Sequence, residues 1–209
     1  MSDLRLGVLG GTFDPVHYGH LRLAEEALGR FALDRVLFIP NGIPPHKPGG
    51  PQTSARDRFV MTLLATASHD QFEVSPIELD RAGTSYTVDT LRDLRSKYGR
   101  GLQIYFILGI DAVLDMHTWR APDEVIQLCH LAVARRPGSD LSRLQHVPIE
   151  RLSEKIELFD GPATDLSSTE IRRRIRAGQS IRYLTPDPVA SYIRKQGLYK
   201  DGGRRSPKG

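Results

Sequence analysis

Features that would point to several classes of protein are scarce in this chain of 209 residues. Its one cysteine, Cys129, cannot form a disulfide within the chain and provides no thiolate cluster for zinc. The longest apolar runs, such as residues 104–108, are far too short to cross a bilayer, and the N-terminus has no long apolar stretch. We therefore expect a cytoplasmic enzyme or binding protein, with Cys129 as a small residue of the core.

The charge of the chain suits an anionic partner without identifying it. The formal net charge is +4, and acidic and basic residues are interspersed along most of the sequence. Such a balance fits a phosphate-bearing small molecule as well as a nucleic acid. We expect residues 1–200 to form one domain around one core, and residues 201–209, which have no apolar anchor, to be disordered.

Apolar runs alternate with helical patterns along the first two thirds of the chain. The runs fall at residues 6–9, 36–39, 104–108 and 131–134, and the helical patterns near residues 18–30, 54–68, 86–98 and 121–129. This alternation predicts a doubly wound α/β fold of the Rossmann-like kind, with a parallel sheet and a binding crevice beyond the carboxyl ends of its strands.

A weaker strand is expected at residues 155–159, followed by a small helical C-terminal part within residues 167–199. Ser167 and Glu170 have capping-box spacing at the start of one helix, and Gly178 ends it. Residues 189–195 have the amphipathic pattern of a last helix.

The stretch GGTFDPVHYGH, residues 10–20, lies where the first strand gives way to the first helix. Gly10 and Gly11 would allow main-chain N–H groups to approach an anion closely, just before a helix N-terminus. Neither G-x-G-x-x-G nor the P-loop pattern is present. His17 and His20 are three residues apart and could face one anion. There are two alternatives. The histidines could be hydrogen-bonded within the fold, or they could be two ligands of a metal ion, although the sequence suggests no third ligand nearby.

This stretch resembles the H-x-G-H signature of nucleotidyltransferases, which transfer a nucleoside monophosphate from a triphosphate. Residues 167–172, SSTEIR, are similar to a motif with which adenylyltransferases of this superfamily hold ATP phosphates, although alone they could be a capped helix with a basic face. The resemblance implies that His17, His20 and Arg172 hold phosphates. It also implies an ATP-binding set of Gly10, Gly11, Thr12, Phe13, Ser168 and Thr169.

The middle of the chain is similar to bacterial nicotinate mononucleotide adenylyltransferases in four places: PPHK at 44–47, TSYTVDTL at 84–91, LGID at 108–111 and TW at 118–119. Residues 183–193 also resemble the C-terminus of that family. The resemblance implies that Lys47 steers a phosphate and that the mononucleotide is bound by Tyr86, Thr87, Gly109, Asp111, Trp119 and Arg135.

Two departures from the family pattern are visible, since Thr84 stands where proline is frequent and two arginines, Arg135 and Arg136, stand where one is common. The second departure leaves open which arginine faces the site.

Each of these middle residues also has an ordinary structural interpretation. Lys47 could belong to a rigid surface loop or a Pro-rich recognition segment, although a loop tip after the second strand is well placed to reach a phosphate. Trp119, the sole tryptophan, could pack in the core or stack on a pyridinium ring. Asp111 could cap a helix or bind ribose hydroxyls at a strand end.

The resemblance implies that the protein joins ATP to nicotinate mononucleotide, making deamido-NAD and pyrophosphate. It implies Mg²⁺ bound mainly through ATP phosphates, no direct metal ligands on the protein, and no nucleic-acid or membrane partner. We also expect the acid to be preferred to its amide, since the segments around Tyr86 and Trp119 offer no obvious buried carboxylate that would select an amide.

Three other functions remain open at this point. A pantetheine-phosphate adenylyltransferase should lack SYTVDTL and the tryptophan after GIDA, both of which are present here. A cytidylyltransferase would use CTP. A nucleotide-sensing or RNA-binding protein could use the same fold without turnover, and basic residues 204–208 make RNA binding conceivable.

Overall fold

The computed structural model describes residues 4–42, 51–135 and 141–200. Within these ranges six strands form one parallel sheet in the order β3-β2-β1-β4-β5-β6. The strands are β1 Leu4–Gly11, β2 Arg35–Pro40, β3 Phe72–Val74, β4 Leu102–Gly109, β5 His130–Arg135 and β6 Ile156–Asp160. The order reverses between β1 and β4, which is the position where doubly wound sheets open a crevice.

Helices connect the strands and complete the C-terminal part. They are α1 Tyr18–Arg30, α2 Ala55–Thr66, α3 Thr87–Tyr98, α4 Ile110–Leu114, α5 Pro122–Leu128, α6 Leu152–Lys155, α7 Ser168–Arg176 and α8 Asp187–Gln196, with 3-10 helices at Met116–Thr118 and Leu141–His146. No helix in the described part of the chain combines the length and hydrophobicity needed to cross a membrane.

Alternate side chains of each strand enter two different cores, one on each face of the sheet. In β4, Ile104 and Phe106 belong to the core covered by α3 and α5, whereas Tyr105 and Ile107 belong to the core covered by α1, α2 and α8. Because successive side chains of a strand point to opposite faces, a sheet with both faces covered becomes apolar along its whole length. This explains the unbroken apolar runs of the sequence.

The predicted doubly wound α/β class is confirmed, with small differences at the element level. Strand β3 was not predicted, because three residues with Glu73 at the centre make no apolar run. The strand expected from residue 155 begins at Ile156, and the last helix is longer than predicted, Asp187–Gln196. Ser167 does cap α7 by accepting from the Glu170 N–H.

The single cysteine lies where the sequence predicted it. Cys129 is buried in the core beneath α3 and α5, and its thiol donates to the Val125 carbonyl oxygen over 3.2 Å. Burial raises the pKa of this thiol to about 12, so it stays protonated at neutral pH. Cys129 is therefore a core residue.

Candidate active site

A cavity of about 480 Å³ opens at the carboxyl ends of β1, β2 and β4, within the size range of small-molecule sites. One wall, the glycine–histidine side, is formed by Gly10, Gly11, Thr12 and His20. A second wall, the aromatic side, contains Tyr86, Thr87, Gly109 and Trp119. The fold thus brings eight of the sequence-predicted site residues to one cavity, although they come from three separate parts of the chain.

The two glycines of the junction end β1. The strand continues through Gly11, which lies opposite Pro40 of β2, and the Gly11 carbonyl oxygen accepts from the Asn41 N–H over 2.9 Å. A Cβ atom on Gly11 would lie 2.9 Å from the ring of Phe13, too close for any side chain. Glycine at this position therefore allows the chain to pass over a buried phenylalanine and still line the cavity.

The two histidines stand at the N-terminus of α1, where His17 is the N-cap and His20 the third helical residue. Their rings are stacked, with centroids 3.7 Å apart. The Nδ1 atom of His20 accepts from the His17 N–H over 3.2 Å, so in the neutral ring the hydrogen is on Nε2. His20 lines the cavity, and the edge-on ring of Phe13 holds it from the other side, with centroids 5.0 Å apart.

His17 is buried behind His20 and does not line the cavity. Burial lowers the pKa of His17 to about 4, which keeps its imidazole neutral at pH 7. Its Nδ1 atom has no hydrogen-bond partner among the described residues. A neutral ring next to a helix N-terminus can donate to an anion without adding a repulsive charge to the helix end.

Asp14 fastens the junction to distant parts of the chain. Its carboxylate accepts from the Gln52 N–H, the Thr53 hydroxyl and the Tyr199 phenol, each over 2.7 Å. Burial, and then the charge of Asp14, raises the pKa of Tyr199, so the phenol remains a donor. The loop that carries the histidines is therefore held at once by the segment before α2 and by the C-terminal segment.

The N-terminus of α7 packs directly against the same loop. Ser168 donates its hydroxyl to the Pro15 carbonyl oxygen over 2.8 Å, and Arg172 donates from Nη1 to the Asp14 carbonyl oxygen over 2.7 Å. A second bond joins Arg172 to the Thr169 hydroxyl, and its buried Nε atom has no partner within the described residues. Two helix N-termini, of α1 and α7, thus lie side by side, an arrangement that favours anions.

The next two arginines of α7 have a different environment. Arg173 and Arg174 both bind the carboxylate of Glu170 on the same helix, at 2.7 Å and 2.8 Å. They do not contact the loop of residues 14–17 in the way that Arg172 does. The structure therefore separates Arg172 from its two neighbours.

The aromatic side is formed around the first turn of α3. Tyr86 is the N-cap of that helix, and the guanidinium of Arg120 lies 4.8 Å from the centroid of its ring. Trp119 meets Phe106 edge to face, with centroids 6.1 Å apart, and also lines the cavity. The free N–H groups of a helix start and the face of an indole are suited to a flat, anionic ring.

Several cavity residues were missed by the reasoning from sequence. Asn41 and Glu78 both line the cavity. Asn41 follows a predicted strand, and that position could have indicated it. The segments around Tyr86 and Trp119 contain no buried carboxylate of their own, as expected, but buried Glu78 from a neighbouring segment lines the same cavity and accepts from the Thr90 hydroxyl in the first part of α3.

Seven of the predicted site residues that the structure describes do not line this cavity: His17, Ser168, Thr169 and Arg172, described above, and also Phe13, Asp111 and Arg135. Phe13 is buried beneath it, and Asp111 is exposed in the first turn of α4. Arg135 binds the Asp160 carboxylate over 2.6 Å and lines a separate depression with Glu26 and Arg30. Lys47 lies outside the described residues, as does Arg136, so the choice between the two arginines stays open.

Comparison with known proteins agrees with this geometry. The model of the family described as "Cytidylyltransferase-like" matches residues 8–174. A "Probable nicotinate-nucleotide adenylyltransferase" from Moorella thermoacetica is 50% identical over 200 residues, covering 94% of this chain and 92% of the relative. The chain belongs to the nicotinate-nucleotide adenylyltransferase family. A second relative of that name, from Thermoanaerobacter, is 44% identical and covers 95% of each chain.

Solved structures agree on the fold of this family. The Plasmodium falciparum nicotinic acid mononucleotide adenylyltransferase complexed with NaAD has a TM-score of 0.76 and 19% identity, and it covers 94% of this chain and 97% of that one. The same enzyme complexed with APC has a TM-score of 0.73. At this level of identity the likeness extends to the path of the backbone.

Proposed function

We propose that the protein transfers the adenylyl group of ATP to nicotinate mononucleotide, producing deamido-NAD and pyrophosphate. The observation that carries this proposal is a single cavity that joins the glycine–histidine side to the aromatic side, in a chain 50% identical to a relative named for this activity. One side suits phosphates and the other a pyridine ring. The reaction uses ATP and a mononucleotide, and we propose that it takes place in the cytoplasm without a nucleic-acid or membrane partner.

The chemistry requires no covalent intermediate on the protein. An oxygen of the mononucleotide 5′-phosphate attacks the α-phosphorus of ATP and forms a new P–O bond. The bond from that phosphorus to the oxygen bridging to the β-phosphate breaks, and pyrophosphate leaves with the electron pair. Catalysis then consists of alignment and of stabilising negative charge on the transferred and departing groups.

The residues of the glycine–histidine side would perform that stabilisation. The His20 Nε2–H and main-chain N–H groups around Gly11 and Thr12 would donate to the phosphates, and neutral His17 would support the His20 ring and share the anion. Arg172, with Ser168 and Thr169 at the start of α7, would bind the departing pyrophosphate. The end of β1 is open at Gly10, because the nearest heavy atom to a Cβ placed there, in the Phe106 ring, would be 3.8 Å away.

Magnesium fits this arrangement as a companion of the nucleotide. Among the described residues there is no group of three or more His, Cys, Asp or Glu side chains that could hold a metal ion. Mg²⁺ keeps most of its waters and binds readily through phosphate oxygens, where it neutralises charge. We therefore propose that Mg²⁺ enters the site bound to ATP. We also propose, from the family resemblance of residues 44–47, that Lys47 steers the incoming 5′-phosphate of the mononucleotide.

The aromatic side would recognise the nicotinate group. Trp119 offers an indole face to the ring, and the N–H groups near Tyr86 and Thr87, at the start of α3, would donate to the carboxylate. Gly109 leaves the end of β4 open, because no heavy atom lies within 4 Å of the place where its Cβ would be. Asp111 remains a candidate contact to the ribose, and Arg135 a candidate contact to the mononucleotide.

Release of pyrophosphate from ATP with nicotinate mononucleotide tests the proposal. We expect turnover only when both substrates and Mg²⁺ are present, with CTP and with 4′-phosphopantetheine each a poor replacement. Turnover with CTP would instead indicate a cytidylyltransferase. No turnover with either nucleotide, but tight nucleotide binding, would favour a sensing protein.

A further inference from the structure

Glu78 is a buried acid in the cavity for which the proposed chemistry has no use. Its side chain is 5% exposed. Oε1 accepts from the Thr90 hydroxyl over 2.8 Å, and Oε2 accepts from the Asn41 amide over 3.3 Å. Its carbonyl oxygen accepts from the Ser85 hydroxyl over 3.2 Å. One residue therefore binds the segment after β2 and the beginning of α3.

The contacts continue from Asn41 to the glycine–histidine side through a buried arginine. Arg58 of α2, which is 1% exposed, donates from Nη1 to the Thr12 carbonyl oxygen over 2.9 Å. From Nη2 it donates to the carbonyl oxygens of Asn41 and Gly42, over 2.7 Å and 3.1 Å. Arg58 and Glu78 thus form a bridge, the Arg58–Glu78 bridge, between Thr12 on one wall and Thr90 on the other.

The centre of this bridge has no spare room. A Cβ atom on Gly42 would lie 2.4 Å from the Glu78 carbonyl oxygen, a distance that would force the main chain apart. The two segments can approach this closely only because residue 42 is glycine. The separation of the two walls is therefore set by main-chain contact as well as by side chains.

Stability alone does not explain a carboxylate at this place. Burial raises the pKa of Glu78, and the hydrogen bonds from Thr90 and Asn41 and the charge of Arg81 counteract that rise. Apolar side chains of the same size often stabilise a protein equally well or better than a buried charge and its partners. Two acceptor oxygens on one rigid group do, however, fix the relative position of two donors.

We propose that Glu78 is a positioning residue that fixes the distance between the glycine–histidine side and the aromatic side of the cavity. The inference rests on the proposed function. Nicotinate mononucleotide must place its 5′-phosphate on the first wall and its ring on the second, so it depends on that distance. ATP, held by the glycine–histidine side and α7, depends on it much less.

Replacing Glu78 by Met tests the proposal. Methionine fills a similar volume but has no carboxylate oxygen, so it can accept from neither Thr90 nor Asn41. Because displacements near 1 Å can cost about 10²-fold in rate, we expect kcat/KM for nicotinate mononucleotide to fall roughly 10- to 100-fold. The KM for ATP should change less than about twofold. The matched control is Glu73→Met, which removes an exposed acid paired with Arg35 and should match the wild type.

The outcomes separate this inference from the function on which it rests. A wild type that releases no pyrophosphate with nicotinate mononucleotide overturns both. An active wild type with an equally active Glu78→Met variant overturns only the positioning role. Equal rises in KM for ATP and for the mononucleotide would also overturn it, because they indicate general damage to the fold.

A milder variant decides the question if Glu78→Met does not fold. Ser85→Ala removes only the hydroxyl that binds the Glu78 carbonyl oxygen, at the other end of the same contact. We expect a smaller loss of kcat/KM for the mononucleotide, roughly three- to tenfold for one neutral hydrogen bond, with the KM for ATP unchanged. Wild-type kinetics in this variant would overturn the proposal.

Discussion

The glycine–histidine side of the cavity comes from one continuous stretch of chain, whereas the aromatic side is assembled from segments far apart in the sequence. Residues 10–20 supply a strand end, a turn and a helix start in succession. Tyr86 and Trp119 line the same cavity because both pack against the core that α3 and α5 cover. A continuous site depends on local backbone geometry, and an assembled one depends on the packing of the whole domain.

The largest expected effect concerns His20 on the continuous side. Its Nε2–H would donate to negative charge that grows in the transition state, and loss of one such donor typically lowers kcat by roughly 10²- to 10³-fold. We therefore expect His20→Ala to lose that much turnover, measured by pyrophosphate release, while keeping its circular dichroism spectrum. His117→Ala, at an exposed histidine outside the cavity, is the control. A folded His20→Ala variant with near wild-type kcat would show that the ring is only part of the helix.

The same side should also control stability in acid. The pKa of His17 is about 4 in the folded protein and 6.5 in the unfolded chain. The unfolded state therefore binds a proton first, and stability falls as pH drops from about 6.5 to 4. The difference corresponds to about 3 kcal/mol in the free energy of unfolding.

Urea unfolding at pH 7 and pH 4 measures that loss. His17→Asn should lose about 3 kcal/mol less than the wild type over this range, since it has no imidazole to protonate. If the His17 variant has the wild-type pH dependence, the histidine is not buried in its neutral form.

Arg172 provides the next comparison, within a single helix. A lysine cannot reproduce the fork that contacts the Asp14 carbonyl oxygen and would bind pyrophosphate, so Arg172→Lys should lower kcat/KM for ATP about tenfold or more. Arg173→Ala and Arg174→Ala remove the ion pairs with Glu170, the side-chain partner that they have within the described residues, and should stay within about twofold. Equal losses at all three positions would contradict a single phosphate-facing arginine.

The difference between a continuous side and an assembled side also explains which features could be predicted from the sequence. The α/β class, the strand-to-helix junction and the cap of α7 were predicted, because each depends on residues close together in the chain. Glu78 gave no signal, since its role depends on Asn41, 37 residues away, and on Thr90. Arg58 was missed for the same reason: its three acceptors are main-chain oxygens that only the fold brings together.

Preference for the acid over the amide tests the assembled side. Main-chain N–H groups near Tyr86, Thr87 and Trp119 can donate to both oxygens of a carboxylate, whereas an amide would bring N–H hydrogens against them. A charge-assisted bond contributes about 1.5 to 3 kcal/mol, or roughly 10- to 150-fold per contact. We expect a preference of at least about 10²-fold in kcat/KM. The Glu78 carboxylate opposes this preference, because it would repel the carboxylate of the substrate. Thr90 and Asn41 already donate hydrogen bonds to Glu78 and so offset part of that repulsion.

The smallest expected effect is the change in the acid-to-amide ratio of kcat/KM when Trp119 is replaced. Stacking on a ring contributes about 1 to 3 kcal/mol, so Trp119→Ala should lower kcat/KM roughly 5- to 150-fold for the acid and the amide alike. Because the indole contacts the ring and not its substituent, the ratio between the two substrates should remain largely unchanged. A wild type that uses the amide as well as the acid would contradict the substrate assignment. A Trp119→Ala variant that has lost the ratio would instead show that the indole positions the N–H donors, and the main-chain account of selectivity would fail.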